Sequence, residues 1–366
     1  QERYYTGTYP KEYLCHKGDL IVAMTQQAEG LLGSTALVPE NNKYLHNQRI
    51  GLITCDEKRL NKLFAYYLFM TKSVREQLER SSSGTKVKHT SPEKIYDVEV
   101  EIPDVISQQK IANLLWSIDE KIANNNAIND NLEQQAKLLY NYWFIQFNFP
   151  DENGNPYHSS GGQLVWNKNL QQEIPQDWRS GNLYDIADYI NGIACQKYRP
   201  SDEEHSLPVV KIREMNGGIT NDTERVSSTI PAKNIISSGD ILFSWSASLE
   251  VIMWYGVDAG LNQHIFKVVP KSYFSSEYVY LQLSEYLIHF IKIAEARKTT
   301  MGHITSEHLQ DSHIILPPAN IIKNFSEYVR PIYQMKKQIA NETSELIKLR
   351  DWLIPMLMNG QATISD

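Results

Sequence analysis

The chain has 366 residues, 42% apolar and 22% charged, with a net charge of −7. That length suits two or three domains, each with enough surface to bury its own core. No stretch approaches the roughly 18 apolar residues of a membrane span, no charged-then-apolar leader opens the chain, and Cys15, Cys55 and Cys195 lack CxxC spacing. A membrane span, secretion, a disulfide framework and a structural zinc site are therefore not indicated, and a cytoplasmic location is expected. The first residue is Gln1 rather than Met, so the natural start is expected to lie upstream.

In chain order, residues 1–103 are expected to form a globular region. It holds strands over Asp19–Met24 and Gln48–Cys55, a helix over Asn61–Leu78 and a closing strand over Val98–Pro103. Ser107 looks like the N-cap of a long helix within 104–147. Residues 148–173 read as a linker, because the Gly, Asn, Ser and Pro of DENGNPYHSSGGQ prevent a regular element. A second globular region covers 174–318, with strands at Leu207–Ile212, Asp240–Ser244, His264–Val269 and Ser312–Leu316 and a helix at Ser276–Ala294. A second long helix occupies 319–358, where Pro331 is expected to kink or break it, and 359–366 is a tail. Mixed strands and helices in each region favour an α+β fold.

The two regions repeat one another at an offset of about 214 residues: Thr85 falls on Thr299, His89 on His303, Glu93 on Glu307, Pro103 on Pro317 and Ile118 on Ile332. Asn47-Gln48 matches Asn262-Gln263, and Gly18-Asp19-Leu20-Ile21 matches Gly239-Asp240-Ile241-Leu242, at slightly larger offsets. The period is too long for a solenoid or a propeller blade. It predicts two equivalent domains, each followed by its own helix. The second copy begins at Ile174–Trp178, far upstream of Gly239, whereas only 17 residues precede Gly18. The N-terminal part of the first domain, about 45 residues, is therefore expected to be absent.

The helices share one heptad register. Spacings of four and three run through Ile111, Leu115, Ile118, Ile122, Asn125, Asn129, Leu132, Ala136, Leu139 and Trp143, and through Phe325, Val329, Ile332, Lys336, Ile339, Thr343, Leu346, Arg350, Leu353 and Leu357. Such a pattern makes a two-helix seam; two separate amphipathic helices are the alternative. Roughly 40 residues at about 1.5 Å each exceed what a single globular core requires. Polar residues within the seam would fix register and orientation.

The negative net charge is an average, and binding faces are local. Between residues 58 and 94 nine Lys or Arg face three Glu, which marks a candidate phosphate-contacting stretch, although a solvated helix surface would look the same. No phosphate loop, GxGxxG or GxSxG is present. Pro317-Pro318 lacks the Asn or Asp and the aromatic of an amino-methyltransferase tetrad. His303, His308 and His313 are spaced by five, which scatters them around a helix and argues against a metal site. Catalysis is expected to lie in a partner.

The order GDLIVAM (Gly18–Met24), SGTKVKHTSPEKI (Ser83–Ile95) and SQQKIANLLWSIDEKI (Ser107–Ile122), with GDILFSW (Gly239–Trp245) in the second copy and the junction Asn148–Pro200, resembles the specificity subunits of type I restriction-modification systems. No single motif is very specific; their order, repeated twice, is. The likeness covers the chain except the front of the first domain. The resemblance implies two similar target recognition domains, 1–103 and 174–318, separated by two long helices forming an antiparallel coiled coil. It implies recognition of an asymmetric bipartite site on double-stranded DNA. Two modification (methyltransferase) subunits would carry S-adenosylmethionine and methylate adenine, restriction (translocase-nuclease) subunits would use ATP and Mg, and this chain would hold no cofactor or metal.

Amide, guanidinium and imidazole groups on loops match base edges in the major groove. By position in each copy the candidate DNA-binding residues are Thr25, Gln26, Gln27, Lys86, Lys88 and His89 in the first, and Lys211, Arg213, Ser246, Arg297, Lys298 and His303 in the second. Any of them could instead contact phosphate, positioning without specifying. Two alternatives stay open: a coiled-coil scaffold with protein- or glycan-binding heads, and a recognition fragment of a fused methyltransferase-endonuclease.

Overall fold

The structure is a computed structural model that describes residues 4–26, 30–84, 87–201, 205–296 and 303–364. The chain forms two compact units, Gln1–Asn124 with Thr343–Asp366, and Asn125–Glu342. Each unit takes one half of each long helix.

The first unit contains β1 (Leu20–Ala23), β2 (Thr35–Leu37), β3 (Ile50–Ile53), α1 (Lys62–Leu68), α2 (Lys72–Ser81), α3 (Pro92–Tyr96) and the start of α4 (Val105–Tyr140). β1 lies between β2 and β3, antiparallel to both. The expected helix over 61–78 is two helices. Asn61 caps α1 by accepting from the Phe64 N–H at 2.9 Å, and the Thr71 hydroxyl donates to the Leu68 carbonyl at 2.7 Å, closing α1 where α2 starts. Asp104, not Ser107, caps α4: its carboxylate accepts from the Ile106 and Ser107 N–H groups at 2.9 and 3.1 Å.

The second unit continues with β4 (Leu164–Asn167), β5 (Gln172–Pro175), β6 (Arg179–Gly181), α5 (Leu183–Ile186), β7 (Ala187–Asn191), β8 (Ser206–Val210), α6 (Ile212–Gly217), β9 (Arg225–Ser227) and β10 (Ile235–Ile236). Then come β11 (Ile241–Ser244), β12 (Glu250–Met253), β13 (Ala259–Leu261), β14 (Ile265–Pro270), α7 (Ser276–Ala296), α8 (Ser306–Gln310), β15 (Ile314–Leu316) and α9 (Ala319–Met358). One sheet has the order β12-β11-β14-β7 and another β10-β13-β8-β9. The β4-β5 hairpin begins inside the expected linker and runs past its end to Pro175. Its turn is closed by the Asn167 side chain, which accepts from the Asn169 and Leu170 N–H groups. The strand expected to reach Ile212 stops at Val210, because Glu214 accepts from the Lys211 N–H at 3.2 Å and opens α6 there.

The duplication is written into the hydrogen bonds. Gly18 and Gly239 both have positive φ, 83° and 108°, which suits glycine. The carboxylates of Asp19 and Asp240 accept from the His16 and Ser237 N–H groups, each at 2.7 Å. β1 and β11 each become the middle strand of an antiparallel sheet, with β2 equivalent to β12 and β3 to β14.

The second unit also shows what the first does not contain. Residues 4–19 hold no counterpart of β5 to β9. In the second unit β15 pairs with β6, and Trp178 packs on Phe144 and Phe149 with ring centroids 5.9 and 5.0 Å apart. A cavity of about 170 Å³ remains beside them. The equivalent stretch of the first unit, expected as a strand over Val98–Pro103, is not a strand. Among the described residues no strand pairs with it; the Gln77 amide accepts from the N–H and donates to the carbonyl of Glu99, and the stretch lines a groove of about 580 Å³ with Leu357 and Met358.

α4 and α9 run antiparallel. Asp119 pairs with Arg350 at 3.0 Å in the first unit; in the second, Asn125 donates to Glu342 at 2.8 Å and Glu133 pairs with Lys336. Each step forward on α4 is a step back on α9. α9 passes through Pro331 without a break. The burial of Phe325, Val329 and Tyr333 on either side outweighs the one hydrogen bond that Pro331 lacks. α4 ends in a π turn over Asn141–Ile145 that brings Trp143 and Phe144 against Phe325, at 5.5 and 4.8 Å.

Candidate nucleic-acid interface

In the second unit three segments meet at the end of β11. The Trp245 N–H donates to the His264 carbonyl at 3.2 Å, and the Ile304 N–H donates to the Trp245 carbonyl at 2.9 Å. The Trp245 ring lies 5.5 Å from both the His264 and the His303 ring, and its indole N–H donates to Asn191 Oδ1 at 3.2 Å. Gln263 Nε2 sits 3.4 Å from His264 Nε2. Both imidazoles are exposed. The arrangement presents two imidazoles and an amide around one indole, a set of donors and acceptors with an aromatic face.

The first unit repeats this frame. The Met24 N–H donates to the Arg49 carbonyl at 2.8 Å, and the Thr90 N–H donates to the Met24 carbonyl at 2.9 Å. Thr25 forms a bridge with His89, with Oγ1 to Nδ1 at 3.2 Å, and the Gln26 N–H donates to the Lys88 carbonyl at 2.9 Å. Arg49 thus stands where His264 stands, Met24 where Trp245 stands, and His89 where His303 stands.

Of the residues expected to bind DNA, Thr25, Gln26, Lys88 and His89 come together here, and His303 joins the equivalent cluster. Gln27, Lys86, Arg297 and Lys298 lie outside the described residues. Ser246 follows Trp245 as the counterpart of Thr25 but is only 5% exposed, so its hydroxyl has little surface to offer. Lys211 and Arg213 sit at the start of α6. Lys211 pairs with Glu224, while Arg213 pairs with Glu214 at 2.7 Å and donates to the Asp222 carbonyl. Val210, just before them, accepts from the Asn262 N–H at 3.1 Å, which ties α6 to the turn carrying Gln263 and His264.

The basic stretch from 58 to 94 is partly neutralised from within. Lys72 and Arg80 both pair with Glu76, Arg75 donates to the Gly30 carbonyl, and Lys88 pairs with Glu79, holding that carboxyl below its usual range. Lys58 and Arg59 remain exposed on the turn before α1. Sequence reasoning missed Arg49, Asn191, Trp245, Gln263 and His264. The repeated Asn-Gln at 47–48 and 262–263 was the available pointer, because each Asn side chain accepts from the N–H of residue 49 or 264 and sets the turn.

The sequence matches the profile of the type I restriction modification DNA specificity domain twice, over residues 4–134 and 175–349. The chain belongs to this specificity-domain family. Among curated relatives, the type I restriction enzyme MjaIX specificity subunit of Methanocaldococcus jannaschii is 25% identical over 83% of this chain and 69% of its own length. The HindI specificity subunit of Haemophilus influenzae is 22% identical over 81% of this chain and 77% of its own. A crystal structure of a type I restriction-modification S subunit from M. genitalium has the same fold, with a TM-score of 0.53 at 17% identity, covering 96% of this chain and 85% of that one.

In this specificity-domain chain the heptad positions line the inner faces of the two helices. Ile111, Leu115, Ile118, Ile122 and Leu132 of α4 and Trp143 of the π turn after it are buried, as are Val329 and Leu357 of α9. Leu139, Ile332, Ile339, Leu346 and Leu353 are half-buried. Asn125 is 1% exposed with its amide bonded to Glu342, whereas Asn129 is half-buried and its amide oxygen has no partner among the described residues. The polar seam positions Lys336 and Arg350 each meet an acid on α4, which fixes the pairing of the helices. Among the described residues no helix is long and apolar enough to cross a membrane, and no group of three His, Cys, Asp or Glu could hold a metal.

Proposed function

We propose that this chain is the DNA-reading subunit of a type I restriction-modification assembly. Each unit reads one half of an asymmetric bipartite site, and α4 and α9 act as the spacer between the half-sites. The observation that carries this reading is the repeated frame: one backbone arrangement, used twice, presents Arg49 and His89 in one unit and His264 and His303 in the other. Two similar but non-identical faces suit two different half-sites. Half-sites about one helical turn apart, roughly 34 Å, would lie on one face of the duplex.

Methylation and cleavage then belong to partners. Two modification subunits would bring S-adenosylmethionine and flip the adenine, which must leave the stack to be reached. Restriction subunits would bring ATP and Mg, and all would meet in the cytoplasm. The chain would supply position, by phosphate contacts, and sequence choice, by base-edge contacts.

Duplex binding by the chain assembled with its modification subunits tests this directly. Specific binding should weaken steeply with salt, by about 0.9 in logarithmic slope per phosphate contacted. The chain purified alone should transfer no methyl group from S-adenosylmethionine. Salt-insensitive or absent duplex binding would favour a scaffold for proteins or glycans, and methyl transfer by the isolated chain would place catalysis here after all.

A further inference from the structure

Resting on the reading of both units as base readers, we propose that position 49 and its counterpart 264 choose the base. Arg49 reads a guanine in one half-site, and His264 holds the equivalent place over the other.

The backbone fixes where each side chain starts. Asn47 Oδ1 accepts from the Arg49 N–H at 2.9 Å and Asn262 Oδ1 from the His264 N–H at 3.3 Å. The carbonyl of each residue accepts from the residue that ends the central strand, Met24 or Trp245. Both side chains are exposed. The frame keeps its flanking groups, Gln48 with Gln263 and His89 with His303; it differs at the half-buried Met24 or Trp245, and at this position, exposed in both units, it changes between arginine and histidine. Two readers of unlike half-sites must differ somewhere, and an exposed position that changes within a kept frame is where a difference reaches a ligand.

Free charge also sets Arg49 apart from the paired basic residues of the first unit. Arg75, Arg80 and Lys88 are each engaged by a carbonyl or carboxylate of the same unit. Arg49 makes no ion pair and no side-chain hydrogen bond among the described residues, so its planar fork of five donors is available. That fork matches O6 and N7 of guanine in the major groove, where the pairing discriminates against the other bases. Imidazole offers one donor or acceptor on each nitrogen and cannot make the same bidentate contact, so His264 imposes a different preference.

The test uses the chain assembled with its modification subunits and a randomised duplex library, comparing the wild type with Arg49→Gln and, separately, His264→Arg. With Arg49→Gln, preference for guanine at one position of one half-site should fall about tenfold or more. The other half-site should stay as it was. With His264→Arg, the change should appear at one position of the opposite half-site. Unchanged preferences in Arg49→Gln would overturn the proposal. So would uniformly weaker binding with a shallower salt slope, which marks a phosphate contact. If the wild-type complex selected no bipartite site, the functional reading beneath the proposal would fail with it.

Discussion

Arg350 on α9 donates to Asp119 on α4 at 3.0 Å, and Tyr67 from α1 donates to the other oxygen of the same carboxylate at 2.6 Å. One carboxylate therefore joins both long helices to the globular part of the first unit. Both of its oxygens are engaged, and Asp119 is 19% exposed, so truncation strands the Tyr67 hydroxyl and leaves Arg350 with its neighbour Asp351 alone, at 2.8 Å. Asp119→Ala should cost about 2 kcal/mol of stability, a value kept modest because the ion pair is partly solvated. Adding Arg350→Ala should cost less than that change costs on its own, because the charge has already lost its partner on α4 and keeps Asp351 of its own helix. Urea unfolding of the single and double variants measures both, and simple additivity would show that the pair is not coupled.

A second prediction concerns alkaline pH. Burial raises the phenols of Tyr140, Tyr278, Tyr280 and Tyr333 in the second unit well above the ordinary tyrosine value, and nearby Glu133 adds to this for Tyr280 and Tyr333. A raised folded-state value means that these groups contribute stability fully below the unfolded tyrosine range near pH 10 and lose it as pH rises beyond that. Tyrosines exposed at the surface should ionise at about pH 10 with the fold intact, and a later rise in absorbance at 295 nm should coincide with loss of the far-ultraviolet circular dichroism as the buried ones ionise on unfolding. Full ionisation with the helix signal intact would contradict the burial.

The paired helices were legible because burial repeats every three or four residues. Ile111, Leu115, Ile118 and Ile122 had to share a face, and the antiparallel ion pairs followed from polar seam residues already visible at Lys336 and Arg350. The strands beginning at Gly18-Asp19 and Gly239-Asp240 were legible for a similar reason, since a positive-φ glycine and a turn-closing aspartate leave a short, repeated signature. Val98–Pro103 was misread because a strand is a property of a pair: its equivalent, Ile314–Leu316, is a strand by virtue of β6. The Trp245, His264 and His303 cluster was invisible for the same kind of reason. Its members lie far apart in sequence, and the pairing of β11 with β14 and the hydrogen bonds of Trp245 to His264 and Ile304 bring them together.

The third prediction concerns the spacer. Inserting four residues, one helical turn of about 6 Å, into α4 near Asn126 should lengthen the preferred gap between half-sites by about one to two base pairs, since DNA rises about 3.4 Å per pair. Both half-sites should keep their sequence. Slip against α9 would absorb part of the insertion, which favours the smaller shift. Selection from a randomised duplex library reads the outcome, and an unchanged gap or altered half-sites would show that the helices do not set the distance.

The most direct measurement is a map of methylated adenines in DNA exposed to the chain assembled with its modification subunits and S-adenosylmethionine. Two short specified sequences of different composition, separated by a fixed unspecified gap and methylated on an adenine in each, are the predicted result. A single continuous motif, two identical half-sites or methylation without sequence preference would contradict the reading of this chain as two unlike recognition domains joined by a spacer.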